Sequence, residues 1–304
     1  MNERKQHVIK MAHQLFIDKG FQATSIQDIL DFSGISKGTF YNYFSSKNEL
    51  LIAIFKSVFK KLEHDRNELL IGKNPADIEI FISQIELQMQ TNRKNKMITL
   101  FEEVMVSNDA DIKQFISRGQ LITLRWVYGR FIDIFGESKK PYLLDCAIMF
   151  LGFLQHNIKF YYMANQSSIH FNQVVHYSIK RIVKMVDEVS DSGEQLIQPG
   201  FLEKWLPACE KPDHAIQQNV YHTVLELKKV LNHSEEHAKY NELLEFLLDE
   251  LLHSKNPRKF LIESAISSLK TNQKSFGEKE FEKLERLVAV YFLELEKSEI
   301  ENTP

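Results

Sequence analysis

Gly34-Ile35-Ser36-Lys37-Gly38-Thr39-Phe40-Tyr41-Asn42-Tyr43-Phe44-Ser45-Ser46-Lys47 is the stretch whose reading decides the fold. A glycine free to take positive φ opens it, and Ser36 stands where a side-chain oxygen caps a helix start. The short helix that follows, Lys37 to Phe44, sets Phe40 and Phe44 four residues apart on one side. Its other side carries Lys37, Thr39, Tyr41, Asn42 and Tyr43, with Lys47 at the next helix. Upstream, Thr24-Ser25-Ile26-Gln27 fits a capping box and predicts a helix beginning at Thr24, with Ile26, Ile29 and Leu30 turned inward. A capped helix, a tight turn and a short capped helix make a helix-turn-helix, whose second helix can lie in the major groove of DNA.

The outward residues suit that partner. Lysine neutralises phosphate charge, tyrosine and threonine hydroxyls reach phosphate oxygens, and asparagine can pair bidentately with adenine. Gly38 lets the backbone come close, and Ser36 with the free N–H groups at the helix start can face a phosphate. The competing reading is a solvated polar face, for which aromatic residues would be odd choices.

With Ala12, Leu15, Phe16, Gly20, Phe21, Thr24, Ile26 and Ile29 upstream, the run Gly34 to Lys47 resembles the N-terminal signature of the tetracycline-repressor (TetR/AcrR) regulators. The resemblance covers about residues 5–52. It implies that Lys37, Thr39 and Asn42 approach bases, that Thr24, Tyr41, Tyr43 and Lys47 hold phosphates, and that the chain is a homodimer. Two positions depart from the family pattern. Leu30 stands where a small residue is usual, which would widen the contact between the two helices, and Asn42 replaces a common histidine, which leaves base preference open.

Outward from the module, Gly and Pro are scarce and apolar residues recur at three and four, so the fold is all-α. A first helix is expected from Asn2 to Asp18, stopped at Gly20, and another from Ser46 to Leu70 beyond the short one. We expect a helix-turn-helix domain over 1–52 and a larger helical effector-binding and dimerisation domain over 53–190. A C-terminal helical extension over 191–304 would follow the polar break Ser190-Asp191-Ser192-Gly193 and a connection punctuated by Pro199, Pro207 and Pro212. Residues 76–190 offer aromatic wall and a few polar anchors, from which Phe101, Arg118, Trp126, Phe153, His156 and Tyr161 are the candidate lining of a pocket for a hydrophobic small molecule. The helices Leu143 to Ala164 and Asn172 to Val189 are candidates for a four-helix dimer interface. The extension lies outside the resemblance; it is either a second helical layer enlarging the body or a docking surface for another protein, and the first is preferred because its leucine stripes need cover.

The 304-residue chain has a net charge of −3, unevenly spread: residues 1–61 hold nine Lys/Arg against five Asp/Glu, and residues 191–304 hold 14 against 21. An anionic partner would be drawn to the N-terminus. The start lacks the apolar run of a signal peptide and no stretch is long enough for a membrane span, so a cytoplasmic protein with no membrane partner is expected. Cys146 and Cys209 are too few for a disulfide framework or cysteine-built zinc site and read as packing thiols. A different class of function is raised by His233-Ser234-Glu235-Glu236-His237, which matches the H-x-x-E-H pattern of some zinc peptidases. That chemistry needs both histidines on one helical face and a third ligand, and a helix start near Asn232 or Ser234 would fray His233 out of place. Neither catalysis, a metal nor a cofactor is therefore expected.

Overall fold

Capping chemistry sets the first helices. In the computed structural model, which describes residues 3–70, 73–105, 109–165, 171–206, 214–231, 237–254, 257–271 and 278–301, helix α1 spans Glu3–Lys19. Helix α2 spans Ile26–Ser33, α3 Lys37–Tyr43 and α4 Lys47–Glu68. The N-cap of α2 is Ser25 rather than Thr24: Ser25 Oγ accepts from the Asp28 N–H, and the Asp28 carboxylate accepts in return from the Ser25 N–H. The box is thus displaced by one residue: Asp28, three beyond Ser25, closes it, while the Gln27 amide donates to Asp31 at 2.7 Å and the Thr24 hydroxyl to Gly20 O. Gly34 ends α2 at φ 67°, a left-handed position that glycine takes without a Cβ penalty. Phe44, expected inside α3, is its extended C-cap at φ −144°.

The three short helices and α4 enclose one core of Val8, Ala12, Leu15, Phe16, Ile29, Phe40, Phe44, Leu50, Ile54 and Phe55. This core does not stop at the module. It continues into Met97, Leu100 and Val104 of α6 (Met97–Met105) and Ile112 of α7 (Ala110–Phe135). Stacked rings mark the seam, with Phe101 4.6 Å and Phe115 6.0 Å from Phe55.

A second core joins α5 (Ile78–Lys94), α7, α8 (Lys140–Asn165) and α9 (Phe171–Ser192). Here α8 and α9 pack along each other, α8 burying Leu143, Leu144, Cys146, Ala147, Phe150 and Leu154. The inward stripe of α9, Val174, Val175, Ile179, Ile182 and Val186, has the spacing of one helical face. Past α9 the chain stays with this unit as far as Leu206: the backbone N–H groups of Leu196 and Ile197 donate to the Asp145 carboxylate, and α10 (Gly200–Trp205) buries Leu202.

Residues 207–304 form a second compact unit. Helices α11 (His214–Leu231), α12 (His237–Leu248), α13 (Lys259–Lys270) and α14 (Glu278–Glu301) pack in a ring, α11 on α12 and α14, α13 on α12 and α14. Their leucine stripes cover one another: Val220, Val224, Leu227, Leu244, Leu247, Leu251, Ile262, Leu269, Phe281 and Leu284 are buried within the unit. Four amphipathic helices thus close a core of their own within this unit. The Tyr291 hydroxyl donates to Leu251 O at 2.8 Å, and the largely buried Glu250 accepts from the Arg258 backbone and guanidinium. Among the described residues no strand occurs, and no helix is long and apolar enough to cross a membrane. Asn2, Gly72, Pro207, Cys209, Pro212, Asn232 and His233 to Glu236 lie outside the described residues.

Candidate nucleic-acid interface

Helix α3 is pinned from beneath by two rings. Phe40 and Phe44 have almost no exposed surface, and their centroids lie 5.8 Å apart. With that side fixed, Ser36, Lys37, Gly38, Tyr41 and Asn42 stand exposed, while Thr39 and Tyr43 are half-buried. Ser36 is the N-cap: its Oγ accepts from the Thr39 N–H at 3.1 Å and lies 2.9 Å from the Thr39 hydroxyl. Tyr41 rests edge-on against Phe40 at 5.3 Å and keeps 47% of its surface exposed. The structure therefore exposes five of the sequence's candidates on α3 and its cap, with the edges of two more, Thr39 and Tyr43.

Gly38 is informative because nothing inside the chain requires it. A Cβ built there would meet only Ser36 Oγ, at 3.8 Å, which is ordinary contact, and its φ is not left-handed. Glycine in a helix is less favourable than alanine. The outward side of α3 at Gly38 is open, so a methyl group there would stand on the exposed surface of the helix.

Two candidates are placed otherwise. Thr24 is fully buried, and its hydroxyl donates to Gly20 O at 2.7 Å, so its side chain is committed to the turn after α1 and has no surface for a phosphate. The Lys47 ammonium donates to Phe21 O and Thr24 O, each at 2.8 Å, and sits 4.3 Å from the Phe21 ring centroid. Burial pushes its pKa down. Lys47 is thus a staple between the start of α4 and the turn before α2, fixed by carbonyls that a sequence pattern does not reveal.

Electrostatics tighten the same frame. Hydrogen bonds from Lys19 and Ser25 hold the Asp28 carboxyl well below the usual range, and the Ser45 N–H does so less strongly for Glu49. Asp109, the cap of α7, is lowered by the Ile112 N–H and by Asn48, whose amide reaches it at 2.6 Å from α4.

The module is also tied to the helix behind it. Glu103 of α6 accepts from the Gln22 backbone N–H at 3.0 Å, and the Gln22 amide donates to Glu103 O at 3.2 Å. At the other end of α6, Lys96 takes a left-handed φ of 48° and its ammonium donates to Ile17 O at 2.7 Å. Sequence reasoning did not reach these residues, since each pair is some eighty positions apart and carries no local signal.

The six candidate pocket residues do not share one site. Phe101 belongs to the seam with Phe55 and Phe59, whereas Trp126 and Phe153 flank the second core. Arg118 and His156 are exposed, and Tyr161 donates to Gln173 at 2.9 Å. Helical periodicity shows which side of a helix is apolar but not which of two adjoining cores that side serves.

Among the described residues, the donors of His64, Asp65 and Glu68 on α4 converge as a metal site would need. They pair already, Glu68 with His64 at 3.3 Å and Asp65 with Lys61 at 3.6 Å, as charges on an exposed helix commonly do. Of the H-x-x-E-H run only His237, at the start of α12, lies among the described residues.

The description "Bacterial regulatory proteins, tetR family" matches residues 8–54, the span from α1 into α4. The uncharacterized HTH-type transcriptional regulator YerO of Bacillus subtilis (strain 168) is 28% identical over 297 residues, 95% of this chain and 96% of YerO. That similarity runs through both units, whereas the family description matches only the N-terminal module. The HTH-type transcriptional repressor KstR2 of Mycobacterium tuberculosis (strain ATCC 25618 / H37Rv) is 35% identical over 164 residues, 41% of this chain and 82% of KstR2. The HTH-type transcriptional activator FasR of Mycolicibacterium smegmatis (strain ATCC 700084 / mc(2)155) is 36% identical over 55 residues, 18% of this chain and 25% of FasR. No solved structure matches. A helix-turn-helix over the matched residues, and a relative of this identity spanned over four fifths of its length, lead to one conclusion: the chain belongs to the TetR family and is a DNA-binding transcriptional regulator.

Proposed function

We propose that the chain is a homodimeric repressor that reads a palindromic operator through α3 and is released when a hydrophobic small molecule binds the body. The observation that carries the reading is the outward face of α3, where Lys37, Gly38, Tyr41 and Asn42 are exposed on a helix fixed by Phe40 and Phe44. Lys37 supplies charge for phosphate, Tyr41 a hydroxyl for the backbone, and Asn42 a donor and acceptor pair for a base edge. Repression is supported by the name of KstR2 rather than by geometry, and FasR, an activator, matches over 55 residues only.

Dimerisation would set two α3 helices about 34 Å apart, one turn of DNA. α8 and α9 are the elements we assign to that interface, and Phe160, Tyr162, Met163 and Tyr177 on them keep more than half their surface exposed. α6 is the route for release. It shares the module's core and is held to the module at both ends by Lys96 and Glu103, so a ligand that shifts α6 shifts α3 with it. The ligand's leverage equals its preference for the shifted state.

Selection of duplexes from a random pool, followed by anisotropy titration with the selected site, tests this reading. Recovery of a palindrome bound by two chains, with affinity falling steeply as salt rises, is expected. Recovery of an asymmetric site bound by one chain would remove the homodimer and its half-site geometry.

A further inference from the structure

Two arginines of the body are joined by one glutamine, and only one of them has its acid. Arg130, on α7, has 1% of its surface exposed. Its guanidinium donates to the Asp133 carboxylate at 2.6 Å, to Gln84 Oε1 at 3.0 Å and to Pro75 O at 2.8 Å, so charge and donors are both satisfied. Gln84, itself fully buried, passes on to α4 by donating to Arg66 O at 2.9 Å.

Arg66 is the opposite case. Its guanidinium lies 3.9 Å from the Trp126 ring centroid, and Nη1 donates to the neutral Gln88 at 3.2 Å. Nε is buried with no hydrogen-bond partner. Among the described residues no carboxylate makes an ion pair with Arg66, and Glu63, one turn earlier on α4, acts on it only through space. Burial pushes this guanidinium down to about 10, the direction expected of a cation that lacks a counter-ion. A half-buried cation without its anion is a costly arrangement, whereas a stacked arginine fork is well suited to carboxylate or phosphate.

The surroundings repeat that charge balance. Arg118 and Arg125 on α7 are exposed and repel each other, and the same Glu63 is the acid that acts on Arg125. Arg66 and Arg125 thus share the charge of one glutamate along the α4–α7 seam. Apolar surface adjoins them: Ile122, between Arg118 and Arg125 on the same helix face, is 44% exposed, and Trp126 abuts Phe81 at 5.9 Å, which leads to Phe131 and Phe150.

We propose that the effector of this regulator is an anionic amphiphile, a carboxylate or phosphate on an apolar body, whose head is bound by Arg66 on the Trp126 face. This deepens the effector reading above and rests on it. Arg66 is the specificity residue, Gln88 orients its fork, and Arg118 and Arg125 draw the anion to the seam. The molecule is taken from solution as a monomer, since its tail must leave water for the apolar surface of Ile122 and Trp126 beside Arg66.

The test uses the full chain with sodium dodecanoate and dodecanol, both below micelle formation, read by calorimetric titration and by release of labelled operator. Dodecanoate should bind at least tenfold more tightly than dodecanol, and Arg66→Met should abolish that preference. Arg66→Lys should keep part of it. The unliganded Arg66→Met protein should melt no lower than the wild type, because an arginine kept for a ligand is not kept for stability. Equal binding of acid and alcohol, or a preference that survives Arg66→Met, would overturn the head-group assignment and leave the effector reading standing. If neither molecule binds or releases operator, the effector reading itself fails, and this proposal with it. Binding only to anionic phospholipid vesicles, not to monomeric dodecanoate, would also overturn it.

Discussion

Replacing Gly38 by alanine should raise the stability of the protein while weakening its hold on DNA. The added Cβ meets Ser36 Oγ at 3.8 Å and no other atom within 4 Å, so the folded chain accommodates it without rearrangement. Alanine in place of helical glycine, near the start of α3, stabilises by about 0.5–1 kcal/mol, partly by restricting the unfolded chain. For a unit of this size that is a rise in Tm of about 1–4 °C. On the outer side the methyl occupies space that the account assigns to DNA. Overpacking a close interface by one methyl costs about 1–3 kcal/mol, or roughly a five- to 150-fold loss of operator affinity. Differential scanning fluorimetry gives the first quantity and anisotropy with a selected operator gives the second. Opposite signs are the signature. A variant that is less stable, or equally stable and undiminished in affinity, would refute the argument that the glycine serves the DNA side.

Lys37 and Lys47 should separate in their salt dependence. Lys37→Ala is expected to lower the slope of log affinity against log salt by about 1, the mark of one lost phosphate contact. Lys47→Met should leave that slope unchanged and destabilise the module by about 1.5–3 kcal/mol through its two carbonyl hydrogen bonds, read as a lower Tm; the reverse pattern would return Lys47 to the DNA. Phe55→Ala should cost about 3–5 kcal/mol, since the ring is fully buried against Phe101 and Phe115, and calorimetry should show the module and α6 melting together; two separate transitions would sever the proposed route of release. Asp28, Glu49 and Asp109 have folded pKa values below their ordinary 3.8 to 4.5, so their contribution is complete above that range and is lost as pH falls below it. Melting followed by circular dichroism should therefore be level from pH 7 to 5 and fall steeply below about pH 4, and Asp28→Asn should flatten part of the fall.

The helix-turn-helix was legible because its signals are local. A glycine at φ 67°, a serine cap and two phenylalanines at a spacing of four act over a few residues, and their consequences follow from backbone geometry alone. One residue of error crept in at Thr24, where the pattern admits two serine-or-threonine caps and only the position of Asp28 decides between them. The roles of Lys47, Glu103 and Lys96 were not legible: each is fixed by a carbonyl or amide brought near by the tertiary fold. The pocket candidates failed as a set for a related reason, since Phe101 and Trp126 look alike in sequence yet face different cores. Arg66 carried no signal, because a lone arginine on a helix is ordinary until its missing acid is seen beside the paired Arg130. The C-terminal helices were recognised as helical, but that they cover one another depends on how four stripes meet, which periodicity does not specify.

The most direct test of the account is a base-by-base comparison of operator binding by the wild type and Asn42→Ala, using a selected site and all single substitutions within it. If α3 reads the groove, the wild type should discriminate by about 1–3 kcal/mol at one symmetric pair of positions, and the variant should lose discrimination there alone while keeping its salt slope. A variant that discriminates as the wild type does at every position would contradict the assignment of α3's outward face to base recognition.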